Sequence, residues 1–133
     1  MTGTGARAAT ATAAGVRRFV LLSAIGADDF DPSLDDDFEV YLEAKSAADA
    51  AVRGSDLEWT ILRPGQLTDD PGTGTVLLAP PPVPRATVTR DDTAAVLAAL
   101  LDAPGTAGQV LELRNGEDDV LAAVARVSGP VGR

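Results

Sequence analysis

The segment Arg18–Ser23 (RFVLLS) constrains this chain more than any other part of it. It is a continuous apolar run with β-branched and aromatic members, not an alternation of apolar and polar residues. A strand apolar throughout must be covered on both faces, as in a parallel sheet. Parallel neighbours need crossover connections, usually helices, so the run points to an α/β architecture.

The remaining segments fit that scheme. Phe38 to about Arg53 has helical composition and stops at Gly54-Ser55. Leu57–Leu62 (LEWTIL) reads as the next strand, halted by Pro64-Gly65, and Thr75–Ala79 (TVLLA) as a third before the prolines at 80–82. Thr89 followed by Asp92 predicts a capping-box start, with Asp in place of the usual Glu, for a helix running to about Asp102. Gln109–Leu113 (QVLEL) alternates as a strand, Asn115-Gly116 turns, and a short helix near 118–127 follows. After Met1, residues 2–14 are Ala, Thr and Gly with one Arg, and residues 1–14 show too little periodicity to assign an element. Asp28–Glu39 carries seven acids around Pro32 and reads as a solvated loop. No internal repeat is visible, so residues 1–133 read as one domain with a mainly parallel sheet.

Composition narrows the function. The chain has 133 residues, 20 acidic against 11 basic, for a net charge of −9. That balance argues against nucleic-acid backbones, which need clustered cations. Cysteine and histidine are absent, which removes disulfides, thiolate nucleophiles, zinc clusters and imidazole catalysis together. No run approaches the ~18 apolar residues of a membrane span. Arg17-Arg18 before Phe19-Val20-Leu21-Leu22 imitates a twin-arginine export signal, but the apolar stretch ends at Asp28-Asp29 with Ser23 and Gly26 inside it. A buried strand explains it better, and a cytoplasmic protein is expected.

The single tyrosine and single lysine, Tyr41 and Lys45, stand four residues apart. On a helix that spacing puts both on one face. A phenol is a poor acid or base at neutral pH, and a cation within ~4–6 Å lowers its pKa by about 1–3 units. Ser23 ends the first strand, at the edge where parallel α/β sheets place their sites, and could bond a carbonyl oxygen beside Tyr41. The plainer alternative is an exposed helix whose Tyr packs and whose Lys pairs with Glu43 or Asp49.

The surrounding text resembles a known family. The segments are Val16–Ser23 (VRRFVLLS), Tyr41-Leu42-Glu43-Ala44-Lys45 with Ala48-Asp49, and Leu57–Thr68 (LEWTILRPGQLT). Agreement continues through Gly72-Thr73-Gly74, Thr89-Arg90-Asp91-Asp92 and Leu113-Arg114-Asn115-Gly116. In this order and spacing they resemble the atypical, NAD(P)H-binding branch of the short-chain dehydrogenase/reductases. The resemblance implies a doubly wound, Rossmann-like fold and an oxidoreductase that moves a hydride to or from a small carbonyl or alcohol. It implies Tyr41 as acid/base, Lys45 as its tuner and ribose contact, and Ser23 as the group orienting the substrate. The backbone of Pro64, Gly65 and Leu67 would line the nicotinamide pocket.

One family feature is not found in these residues. The GxxGxxG turn that cradles the pyrophosphate occurs nowhere in the 133 residues. The chain therefore reads as the carboxyl-terminal part of such a fold, its amino-terminal strands missing, with weak or absent binding of NADP or NAD. Strand 18–23 would then present an unpaired edge, and a homo-oligomer through that edge is expected. The alternative reading is a non-catalytic remnant or self-associating module.

Three other features are weighed against plainer roles. Asp29, Asp31, Ser33, Asp35 and Asp37 alternate like a calcium loop, but Leu34 holds the place of the required Gly and Val40 that of the bidentate Glu. Arg63 meets a phosphate or carboxylate, or pairs with an acid such as Asp69 or Asp70. The stripe Ala44, Ala47, Ala48, Ala51 predicts close helix packing.

Overall fold

The computed structural model describes residues 17–23, 47–55 and 57–129. In chain order these form β1 (Arg18–Leu22), α1 (residues 47–53), β2 (Glu58–Pro64), β3 (Gln66–Thr68) and β4 (Thr75–Ala79). There follow β5 (Thr87–Thr89), α2 (Arg90–Leu101), a 3-10 turn at Pro104–Thr106, β6 (Gln109–Asn115), β7 (Asp118–Asp119) and α3 (Val120–Val127). The main sheet has the order β1-β2-β6-β4-β7, and β3 pairs with β5 in a small second sheet.

β1, β2 and β6 run parallel, with Leu21 beside Ile61 and Leu62 beside Leu111. The sheet is thus mainly parallel, as the apolar run requires. β4 lies antiparallel to β6, and β7 antiparallel to β4. No helix separates β2 from β4, so β4 has no crossover to bring it in parallel.

Alternation sorts the side chains onto two covered faces. On one, Leu21 and Ile61 pack on Ala48 and Val52 of α1, with Phe19, Trp59 and Val110 at the margin. On the other, Leu62, Val76, Leu78, Leu111 and Leu113 pack on Val96 and Leu100 of α2 and Ala123 and Val124 of α3. Of the expected alanine stripe, Ala48 is buried, Ala47 and Ala51 are exposed, and Ala44 lies outside the described residues. The buried face of α1 is Ala48, Asp49 and Val52.

Local signals explain the helix ends. Thr89 caps α2 by accepting from the Asp92 N–H at 3.0 Å, as the sequence leads one to expect, and two acids in the first turn suit the helix dipole. Arg18 reaches the other end of α2. Its Nη2 donates to the carbonyl of Leu100 at 2.8 Å and that of Ala103 at 3.3 Å, and to the Thr60 and Thr106 hydroxyls. Each of these carbonyls also accepts a backbone N–H at 3.0 Å, from Ala103 and Thr106 respectively, and the guanidinium adds a second donor at the helix terminus. Desolvation lowers the Arg18 pKa, with Glu58 pulling the other way.

Several boundaries differ from the sequence reading. β2 extends through Pro64, because the parallel ladder continues to Leu113. The segment near 118 begins as strand: Asp118 and Asp119 pair with β4 before Asp119 caps α3 through the Ala122 N–H at 2.9 Å. The three-residue strands β3 and β5 were too short to announce themselves. Residues 1–14, the acidic loop with its calcium-like spacing, Tyr41 and Lys45 lie outside the described residues.

Candidate functional site

The parallel strands end on one edge, with Leu22 beside Leu62 and Pro64 beside Leu113. Ligands of open α/β sheets bind outside that edge. Ser23 stands there directly after β1, its N–H donating to the Leu62 carbonyl at 2.7 Å. Its side chain is buried, at 2% exposure, and Oγ has no hydrogen-bond partner. A buried hydroxyl left unpaired is costly and rare, which makes the position a candidate site.

Pro64 is buried at the end of β2, and Gly65 follows it. The Gly65 N–H donates to the Leu113 carbonyl at 2.9 Å, and the next N–H, of Gln66, to the Ala86 carbonyl at 3.2 Å. A Cβ at position 65 would collide with the Ala86 carbonyl oxygen. Glycine is required here by close approach of two backbones. Leu67 is half-buried and packs against the core on the α2–α3 side.

Beneath Pro64, Arg63 forms a buried ion pair with Asp49 of α1. Nη2 lies 2.6 Å and Nε 3.2 Å from the same oxygen, Oδ2. The side chains are 5% and 4% exposed. Asp49 Oδ1 has no hydrogen-bond partner. Arg63 therefore meets neither Asp69 nor Asp70; Asp69 takes Arg90 at 2.8 Å on the surface. β6 sets Glu112 beside Arg63, where Oε1 accepts the Val83 N–H at 2.8 Å.

A second polar centre ties the loop after β3 to α2. The Asp92 carboxylate accepts from the Thr73 N–H at 3.1 and 3.0 Å, the Thr73 hydroxyl at 3.1 Å and the Gly74 N–H at 2.9 Å. Burial pushes its pKa up, but the Thr73 and Gly74 N–H groups and the Thr89 and Thr73 hydroxyls outweigh that and hold it below the ordinary carboxylate value. Gly74 has φ +77°, a conformation that favours glycine.

The structure thus gathers Ser23, Pro64 and Gly65 at one sheet edge, with Leu67 on the strand that follows. Tyr41 and Lys45 fall outside the described residues. The sequence reading missed Asp49 and Glu112 as buried partners. The available signal for Asp49 was its place three residues before Val52, on the apolar face of the helix. Among the described residues no group of three His, Cys, Asp or Glu could hold a metal, and no helix is long and apolar enough to cross a membrane.

Comparison with known proteins shows the family and the fold. Residues 2–104 match the model of the protein family described as NAD(P)H-binding. A Bacillus subtilis protein described as the uncharacterized sugar epimerase YhfK is 34% identical over 117 residues, 88% of this chain and 54% of that protein. The solved structure of a putative NAD-dependent epimerase/dehydratase from Bacillus halodurans superposes with a TM-score of 0.84 at 33% identity, over 93% of this chain and 58% of that one. ChuY, an anaerobilin reductase from Escherichia coli O157:H7, gives a TM-score of 0.73 at 28% identity, over 84% and 56%. The chain thus spans about half the length of the relatives it matches. On the family match and the shared Rossmann-like fold, the chain belongs to the NAD(P)H-binding family.

Proposed function

We propose that the chain acts as the nicotinamide-side part of an NAD(P)-dependent oxidoreductase working on a small carbonyl or alcohol substrate. The observation that carries this reading is the Ser23 hydroxyl, buried and without a partner at the carboxyl edge of the parallel strands. Gly65 supports it: close approach of the Ala86 carbonyl fixes the backbone here, at the edge where the resemblance puts the nicotinamide pocket. The relatives described as a sugar epimerase, an epimerase/dehydratase and a reductase support small-molecule nicotinamide chemistry.

Pro64, Gly65 and Leu67 would hold the nicotinamide end, and Lys45 its ribose. When bound, the nicotinamide supplies or accepts the hydride. Ser23 donates a hydrogen bond to the substrate oxygen and fixes its orientation. Tyr41 gives that oxygen its proton in reduction and removes it in oxidation, while the Lys45 charge stabilises the phenolate.

Fluorescence titration with NADPH and with NADH tests the reading. Saturable binding of either is expected, and Tyr41→Phe should abolish turnover while sparing affinity. No binding of either at millimolar concentration removes the reading, and unchanged turnover removes Tyr41 from its role.

The same reading includes self-association through β1. Among the described residues β1 has one strand neighbour, β2. Sedimentation at micromolar concentration should give a dimer; a monodisperse monomer overturns this part alone.

A further inference from the structure

Four buried polar side chains stand at one level of the sheet, on the face that α1 covers. Register sets Arg63 beside Glu112, and Ser23 comes level with Arg63 because Leu22 pairs with Leu62. Asp49 closes over Arg63 from α1. Exposures are 2% for Ser23, 3% for Asp49, 4% for Arg63 and 6% for Glu112. Burying two carboxylates and a guanidinium is a poor way to stabilise a fold, since apolar replacements of such groups are often neutral or better. A purely structural role leaves the row without a reason.

Three members of the row, Asp49, Arg63 and Glu112, hold segments that converge on Gly65. Arg63 lies two residues before it and is tied to α1 by Asp49. Glu112 holds the Val83 N–H, three residues before Ala86, whose carbonyl accepts from Gln66 and abuts Gly65. The Gly65 N–H in turn bonds Leu113, the residue after Glu112. We propose that Asp49, Arg63 and Glu112 form a buried positioning row that fixes the Gly65-Gln66 backbone at the carboxyl edge of the sheet. Its consequence for the cofactor rests on the oxidoreductase reading; the positioning itself does not.

Asp49→Asn and Glu112→Gln keep the shape and remove one charge each. Amide hydrogen exchange in the full chain reads the result directly, because the Gly65 and Gln66 N–H groups are the bonds in question. Exchange at these two amides should accelerate by about tenfold in each variant relative to Val96 and Leu100 of α2, a typical size for coupled neighbours. NADPH affinity should fall by roughly 10- to 100-fold, as displaced positioning groups do. Uniform acceleration across the chain, or none at Gly65 and Gln66, overturns the proposal. Wild type that binds neither NADPH nor NADH removes the oxidoreductase reading, while the exchange comparison still decides the positioning. Should Asp49→Asn fail to fold, Glu112→Gln alone decides it by the same comparison.

Discussion

Asp92 and Asp49 are carboxylates buried against the same sheet from opposite faces, and the fold treats them differently. Asp92, 4% exposed, receives two backbone N–H groups and the Thr73 hydroxyl. Asp49, 3% exposed, takes both its contacts from Arg63 on one oxygen and leaves the other without a partner. Saturated polar networks rigidify, while half-satisfied ones are tolerated where another need overrides stability. The faces around them differ in the same sense. Beneath α2 and α3 the sheet is aliphatic from Val76 to Leu113, whereas beneath α1 it turns polar at the carboxyl edge with Ser23, Arg63 and Glu112. The first face is packed by apolar side chains, and the second carries most of the buried polar residues near the candidate site.

The largest effect should come from breaking the half-satisfied side. Arg63→Met strands Asp49 in a dry environment and should cost about 3–5 kcal/mol in urea unfolding. The double variant Asp49→Leu with Arg63→Met should regain most of that loss, and no regain would mean the cost lies elsewhere. On the other face Leu111→Ala, at a fully buried position of β6, should cost about 2–5 kcal/mol through the cavity it leaves. The remaining folded molecules should bind NADPH as wild type does; weakened affinity would erase the division between the faces.

The same division governs what the sequence could reveal. The aliphatic face was legible because its strands are apolar runs, and RFVLLS alone called for parallel, doubly covered neighbours. The α2 cap was legible because Thr89 and Asp92 act within one turn. Ser23 was legible as the end of an apolar strand, whereas Pro64 and Gly65 became site candidates through family resemblance alone. Their convergence depends on registers between strands some forty residues apart, such as Leu22 with Leu62. The Asp49–Arg63 pair was missed because fourteen residues separate its members, and nearby Asp69 and Asp70 offered simpler partners. The antiparallel direction of β4 was not legible, because a short apolar run does not state its direction.

Two glycines sharpen the contrast at smaller cost. Gly65→Ala sets a methyl group against the Ala86 carbonyl and should destabilise by about 1–3 kcal/mol, as overpacking does. It should also weaken NADPH binding, because the backbone strip must shift. Gly74 has φ +77° and nothing within 4 Å of an added Cβ, so Gly74→Ala should cost about 1–2 kcal/mol from backbone strain alone. Affinity per folded molecule should then be unchanged. Equal losses of affinity in both variants would show that Gly65 has no special part in the site.

The smallest expected effect is a pH dependence from Asp92. Its folded pKa lies below the ordinary value of 3.8 because its donors outweigh the cost of burial. A carboxylate depressed on folding contributes stability that is complete above the unfolded pKa and lost as pH falls through the folded one. The contribution is therefore flat near neutrality and decays from about pH 5 downward. Asp92→Asn keeps the shape but presents an amide where Thr73 and Gly74 need an anionic acceptor. Its unfolding midpoint should sit well below wild type at about pH 7, and the gap should narrow by about pH 3. A gap of constant width would show that the loop is held by shape rather than charge. Asp92 would then no longer contrast with Asp49 in how the fold uses a buried negative charge.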